Sequence, residues 1–491
     1  MVDQVAWLEW GSGAFTRARA ERSPVLLAIG ASWCRWCAEM VSLTYSELPV
    51  ARLINARFVP IWVDADRRPD INERYNLGGW PTTAFLTPNG HLLGGETFVR
   101  PERMIQLLGQ VADAFAARRD ELDAQSRLPT GFAGEVPSPG AFDEGIEDWL
   151  SAYLLEAFDA THGGFGMGAK RLQPAALTFA LRRCREGDKA LIPVVRKTLE
   201  AVGWSALYDT GDGGVFRYCA DSDWTQPSFE KVLDLNAAAL DLFVEASVVF
   251  DDPQLRERAL DVLRYVRNTL TDQPDGGFFA SQQADPGYYA AAAEDRPMLA
   301  PPAVDRSIYA DGTARMVVAF ARAGEAFGDP ALLAFAVTAV ERVVADSYEK
   351  GNGIAHQAND EQSVRGLLGD HVAVSGALLD LYAATDRDVY LDLAQELMLF
   401  AIRKLRRVGG GFVDRVVSPD DVGLLRDPVV PFTLNCEAAG VLARLARVTQ
   451  RNDFLEQARE TLVSQTAVAR ERGVDAAAYA LALKELLSPS C

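Results

Sequence analysis

Two cysteines, three residues apart, carry the most reactive chemistry in this chain. Cys34 and Cys37 stand in Ala31-Ser32-Trp33-Cys34-Arg35-Trp36-Cys37, just after the apolar run Val25-Leu26-Leu27-Ala28-Ile29. An apolar strand running into a helix that begins with Cys-x-x-Cys makes a reactive dithiol. The helix start offers partial positive charge and free N–H groups, which stabilise a thiolate at the first cysteine. The second cysteine, one turn on, can attack and resolve a mixed disulfide. Cys34 is the expected nucleophile and Cys37 the expected resolver, with Arg35 and the helix start favouring the Cys34 thiolate. The alternatives are a structural remnant or a metal site. A zinc site needs two further ligands, and the sequence holds no second Cys-x-x-Cys. Trp33 and Trp36 flank the dithiol and would either dock a protein thiol or disulfide partner or pack internally.

A second group of polar residues falls far downstream. Arg217 and Tyr218 follow a Gly-Gly turn and suit a carboxylate or sugar hydroxyls. Asp221, Asp223, Trp224, Glu230, Lys231, Asp234 and Asn236 gather around a helix start. Glu230 and Asp234 are four apart, which places both carboxylates on one helix face. Such a pair could serve as acid and base in glycoside or epimerase chemistry; the bland reading is acidic residues complementing a helix dipole. Asp370-His371 sits early in another helix, as a general base or a structural histidine. Asp305 and Asp311 flank a further helix, and Asn435 and Glu437 lie in a later one. The expected ligand of this group is a small molecule or sugar.

The 491 residues carry 49 basic and 68 acidic side chains, a net charge of −19. That balance argues against nucleic acid or an anionic membrane surface as partner. Four histidines show no His-x-x-x-His pairing, so no metal and no cofactor is expected. The first residues, Met1-Val2-Asp3-Gln4-Val5-Ala6-Trp7, lack the charged and apolar regions of a signal peptide. No apolar run approaches the roughly 18–20 residues that span a bilayer. The expected compartment is the cytosol, where Cys-x-x-Cys is a catalytic or metal-binding motif before it is a structural disulfide.

The elements that must position the dithiol read β-α-β-α-β-β-α. Val25–Ile29 and Phe58–Asp64 are strands, Cys34–Tyr45 and Asp70–Tyr75 helices, and Gly78–Gly90 a turn, a strand and an Asn89-Gly90 hairpin signal. With Trp33-Cys34-x-x-Cys37, Val63-Asp64-Ala65-Asp66 and Trp80-Pro81-Thr82 at these intervals, residues 21–118 resemble a thioredoxin-fold domain. The resemblance implies that Pro81 is cis and lies, with Trp80, beside the dithiol as part of the catalytic site. It also implies a buried Asp six residues before the first cysteine, and here that position is Ala28.

Pro and Gly at 128–131 and 136–140 mark a boundary, giving a thioredoxin-like domain at 1–122, a linker at 123–140 and a helical domain at 141–491. That last part carries twelve amphipathic helical patterns, punctuated by Gly163-Gly164-Phe165-Gly166, Gly213-Gly214-Val215-Phe216, Gly276-Gly277-Phe278-Phe279, Gly351-Asn352-Gly353-Ile354 and Gly409-Gly410-Gly411-Phe412. This degenerate repeat of helix pairs is expected to close as an (α/α)6 toroid of the six-hairpin glycosidase-like kind, with an open solenoid as the alternative. The pairing of the two parts resembles the family of the spermatogenesis-associated thioredoxin-like protein and bacterial proteins of unknown function. That resemblance also rests on Arg68-Pro69-Asp70-Ile71, Lys170, Arg217-Tyr218, Asp221, Trp224, Pro227-Ser228-Phe229-Glu230-Lys231 and Leu378–Tyr382. It implies histidines where this chain has Arg35, Ala38 and Ser228, and a Tyr where it has His371. The expected function is a thiol–disulfide oxidoreductase or redox-linked protein. The alternatives are a carbohydrate isomerase or hydrolase in the toroid cleft, and a non-catalytic binding module.

Overall fold

The structure, a computed structural model, describes residues 4–125, 141–273 and 275–488. The chain forms two compact units, Met1–Glu135 with Arg415–Val429, and Val136–Asp414 with Val430–Cys491. The helical range expected at 141–491 is therefore interrupted. Of the expected linker at 123–140, residues 123–125 continue a helix and 126–140 lie outside the described residues.

In the first unit α1 (Ser12–Glu21) precedes β1 (Val25–Gly30), α2 (Arg35–Glu39), α3 (Leu48–Arg57), β2 (Val59–Asp64), α4 (Pro69–Tyr75), β3 (Thr82–Leu86), β4 (Leu92–Glu96) and α5 (Pro101–Gln125). The sheet order is β2-β1-β3-β4, with β1 parallel to β2 and antiparallel to β3. Every residue of β1 is buried, which is why Val-Leu-Leu-Ala-Ile reads as a continuous apolar run rather than an alternating one. The Arg415–Val429 segment is held by charge and by close backbone approach. Asp70, fully buried, takes a bidentate pair from Arg68 and a contact from Arg415 at 3.3 Å. Tyr75 accepts the Leu424 N–H at 2.8 Å and donates to the Gly90 carbonyl at 2.6 Å. A Cβ on Gly90 would sit 2.7 Å from the Gly423 Cα, so this crossing needs glycine.

The second unit contains α6 (Ile146–Ala157), α7 (Pro174–Arg185), α8 (Ile192–Trp204), α9 (Leu233–Phe250), α10 (Pro253–Thr269), the short α11 (Pro286–Ala290), α12 (Ala310–Phe327), α13 (Pro330–Ser347), α14 (Leu368–Thr385), α15 (Asp388–Lys404), α16 (Phe432–Thr449), α17 (Asn452–Ala469) and α18 (Ala477–Leu487). Helices α7, α9, α12, α14, α16 and α18 each touch the next, and α18 returns to α7. This closed inner ring, backed by an outer helix for each, is an (α/α)6 toroid. Inner helices α9 and α12 pass to their outer partners through one left-handed residue, Asp251 or Gly328, followed by an Asp-Pro start. Asp252 and Asp329 cap the outer helices by accepting N–H groups of the first turn. Outer helices return through the glycine turns, where Phe158 bridges Phe165, Tyr208 bridges Val215 and Arg406 bridges Phe412. Among the described residues no helix is long and apolar enough to cross a membrane.

Candidate functional site

The dithiol sits where β1 meets α2. Cys34 is the N-cap of α2, and its Sγ accepts the Cys37 N–H at 3.3 Å. The thiol lies 3.7 Å from the Trp80 carbonyl, and the Trp80–Pro81 bond is cis. Both cysteines are in the reduced, thiol form, and Cys34 is only 2% exposed. The hydrogen bond with Cys34, then burial, push the Cys37 thiol far above the ordinary range. Of the two sulfurs, Cys34 Sγ is the one that receives an N–H. Ala28 is buried on β1, so no carboxylate side chain occupies that strand position. Trp33 turns inward, donating to Asp66 at 2.7 Å and meeting Trp80 edge-on. Trp36 is 45% exposed, beside Phe98 and under the Arg35 guanidinium. Of the two flanking tryptophans, Trp36 is the exposed one and Trp33 is buried.

In the toroid the structure separates residues that the sequence grouped. Glu230 and Asp234 do not share a helix face: α9 begins at Leu233, and Glu230 lies before it, 3.5 Å from Arg217. Lys231 does not face the cavity. It is buried 2.6 Å from Asp209, with Phe216, Tyr265 and Tyr289 rings around its ammonium. Desolvation pulls the Lys231 ammonium down to about 8 despite Asp209. Burial would raise the Asp209 carboxyl, but Lys231 and Arg296 hold it below its usual range. Asp221 stabilises a turn by accepting the Thr225 N–H. Trp224 is buried over the first glycine turn, where a Cβ on Gly164 would meet its ring at 2.8 Å.

Asn435 and His371 are also structural, and they share one role with Asn236. Each is the fourth residue of its inner helix. Asn236 accepts the Val215 N–H at 2.9 Å, Asn435 the Phe412 N–H at 2.6 Å, and His371 Nε2 the Ile354 N–H at 3.4 Å. Each also bonds the carbonyl four residues back, at Val232, Pro431 and Leu367. The side chain pins the preceding glycine turn to the helix. His371 stacks on Phe400 and does not touch Asp370 through its ring nitrogens; burial drives it down to about 4.

What the ring does bring together are the starts of α9, α12 and α14. Asp234 faces a cavity of about 540 Å³ with Arg217 and Arg315. A larger cavity of about 1110 Å³ runs between the six inner helices and includes Arg315, Asp241, Arg322, Asp380 and Glu437. Arg315 reaches Glu437 at 3.7 Å. Burial, then Asp311, push the Asp234 carboxyl up to about 6, against the opposing pull of Arg315 and His356. Asp234 is exposed to the cavity, among neighbouring side chains of α7, α9 and α12. Tyr218 lies beneath the Arg217 guanidinium. Asp370 pairs with His356 Nδ1 at 2.8 Å, and Asp311 lies 3.9 Å from the same nitrogen. His356 and Arg315 were absent from the sequence-derived site. The available signal was that His356 follows the Gly351-Asn352-Gly353-Ile354 turn by two residues.

These two units define a thioredoxin-like domain with a Cys-x-x-Cys dithiol joined to an (α/α)6 toroid. Residues 1–130 match the family model described as Thioredox_DsbH, protein of unknown function, DUF255. The chain is 27% identical over 310 residues to spermatogenesis-associated protein 20 of Mus musculus, a match covering 57% of this chain and 39% of that protein. The chain thus spans about two-fifths of the length of the curated relatives it matches, 41% in Caenorhabditis elegans. Among solved structures, the toroid is similar to cellobiose 2-epimerase from Bacillus thermoamylovorans, with TM-score 0.53 at 10% identity, covering 65% of this chain and 84% of that one. A GH76 α-mannanase from Bacteroides thetaiotaomicron aligns with TM-score 0.50 at 9% identity, covering 70% and 94%. At these identities the likeness is one of fold.

Proposed function

We propose that the N-terminal unit is a thiol–disulfide oxidoreductase working in a reducing, cytosolic setting. The observation that carries this is Cys34 at the N-cap of α2, with its Sγ accepting the Cys37 N–H. The Cys34 thiolate attacks a substrate disulfide, forming a mixed disulfide and releasing one substrate thiolate, which takes a proton. Cys37 then gives up its proton and attacks Cys34 Sγ, releasing the second substrate thiol. The substrate gains two electrons, the dithiol becomes a disulfide, and a cellular thiol reductant restores it. The test uses the full chain with oxidised glutathione. The Cys37→Ser variant should accumulate one glutathione adduct on the Cys34 peptide, the native chain should resolve it, and Cys34→Ser should gain none there. An adduct that forms equally well on Cys34→Ser removes Cys34 as nucleophile.

A second reading concerns the toroid. The cavity walls carry Asp234, Arg217, Arg315 and Glu437, and burial together with Asp311 pushes the Asp234 carboxyl up to about 6. This suits a small polyhydroxylated ligand, with Asp234 able to donate or accept a proton. Cellobiose and mannose are the probes. Either one should raise the melting temperature of the native chain in proportion to its occupancy, and Asp234→Asn should reduce that shift at least tenfold in apparent affinity. No shift with either sugar at tens of millimolar rejects this class of ligand.

A further inference from the structure

Asp311, His356 and Asp370 come from three separate segments, the start of α12, the loop after α13 and the start of α14, and each directs one ligand atom to a common point. All three atoms lie within 4.8 Å of one another. His356 Nδ1 is 2.8 Å from Asp370 Oδ1 and 3.9 Å from Asp311 Oδ1. Around a cation with bonds of about 2.0–2.2 Å, neighbouring ligand atoms stand roughly 3–3.5 Å apart, so the observed separations bracket that spacing. Asp311 is the partly exposed member and has room to adjust.

A second observation is independent of the clustering. Asp370 is 1% exposed, and its Oδ2 has no hydrogen-bond partner. Its Oδ1 takes the His356 bond, and the Asp311 backbone N–H lends partial positive charge. A buried carboxylate oxygen without a donor costs on the order of 1–3 kcal/mol, and it points to a charge that completes the group. Tyr309 stacks on the imidazole at 4.9 Å. The loop that carries it is fixed through its backbone: the His356 main-chain N–H donates to the Val364 carbonyl at 2.9 Å, and the His356 carbonyl accepts the Ala310 N–H at 2.8 Å.

We propose that Asp311, His356 and Asp370 bind one divalent first-row transition-metal cation at the mouth of the toroid formed by the starts of the inner helices. One imidazole and two carboxylates favour Mn²⁺ or Zn²⁺ over Mg²⁺ or Ca²⁺, which prefer all-oxygen sets. The Arg315 guanidinium lies 3.7 Å from Glu437, its strongest charge partner, and Asp234 and Asp311 act on it more weakly. The cation would lie near Asp234, since His356 and Asp311 both act on that carboxyl.

The experiment strips the full chain with chelator, re-equilibrates it with Mn²⁺ or Zn²⁺ and removes free ion. Bound metal is counted by mass spectrometry, and Mn²⁺ is also followed by its paramagnetic resonance signal. One ion per chain is expected, with affinity at least tenfold weaker in His356→Gln and Asp311→Asn. Circular dichroism checks folding, and Asp311→Asn, altered at a partly exposed position, keeps the test valid if His356→Gln does not fold. The Cys34→Ser/Cys37→Ser chain should retain its ion. The proposal is overturned if the folded native chain holds no ion above background, if Asp311→Asn binds as tightly as the native chain, or if the ion is lost only with the cysteines.

Discussion

His371 shows how one side chain can carry a different meaning from the one its neighbours suggest. Next to Asp370 it reads as half of an acid–base pair. In the fold, consecutive helical residues point about 100° apart, so Asp370 turns to His356 while His371 turns outward to the Ile354 N–H and Phe400. His371 is neutral in the folded state, with its proton affinity lowered from 6.5 to about 4 by burial. As pH falls, the unfolded chain binds the proton first. Its contribution to stability is therefore complete above about pH 6.5 and drains away down to about pH 4, a total on the order of 3 kcal/mol. His371→Asn supplies the residue used at Asn236 and Asn435, keeps an acceptor for Ile354 and removes the titration. Urea unfolding at pH 7.5 and pH 5 should show the variant losing about 2 kcal/mol less than the native chain over that interval. Equal losses would contradict this assignment.

At the scale of elements, most of the architecture is legible in the sequence. Twelve long helical patterns match the twelve long toroid helices among the described residues; the 3.6-residue period is clear in α10 and α12 and faint in α14, which is buried on most sides. The glycine turns mark each return. The strand order around Cys34 is likewise readable from Val25–Ile29, Val59–Asp64 and Trp80-Pro81-Thr82. What periodicity does not encode is which polar residues service those turns. Lys170 pairs with Asp159, Lys231 with Asp209 and Arg342 with Asp272, each also bonding a turn carbonyl. Such pairs use the residue types that binding sites use, and Lys231 and Trp224 looked like site residues for that reason. Removing one partner of a buried pair costs about 3–5 kcal/mol through the charge left behind. The His356 group was illegible for the converse reason: its members meet only when the ring of inner helices closes. The Arg415–Val429 segment was hidden too, since its anchors Asp70, Tyr75 and Gly90 lie more than three hundred residues earlier.

At the scale of the whole molecule, each unit has its own chemistry. The thioredoxin-like unit has a dithiol at the start of α2 and alanine at position 28, while the Asp64 charge acts on the Cys37 thiol. The toroid has a charged cavity lined by Asp234 and Arg315, with the His356 cluster as a separate polar group at the starts of α12 and α14. The central claim is that Cys34 and Cys37 form a reversible two-electron couple. The most direct measurement equilibrates the full chain in glutathione and dithiothreitol buffers from about −320 to −180 mV. The remaining thiols are alkylated and counted by mass at Cys34 and Cys37. The account predicts one transition in which both thiols disappear together, absent in Cys34→Ser. Thiols that stay fully alkylatable at every potential in that range would contradict it.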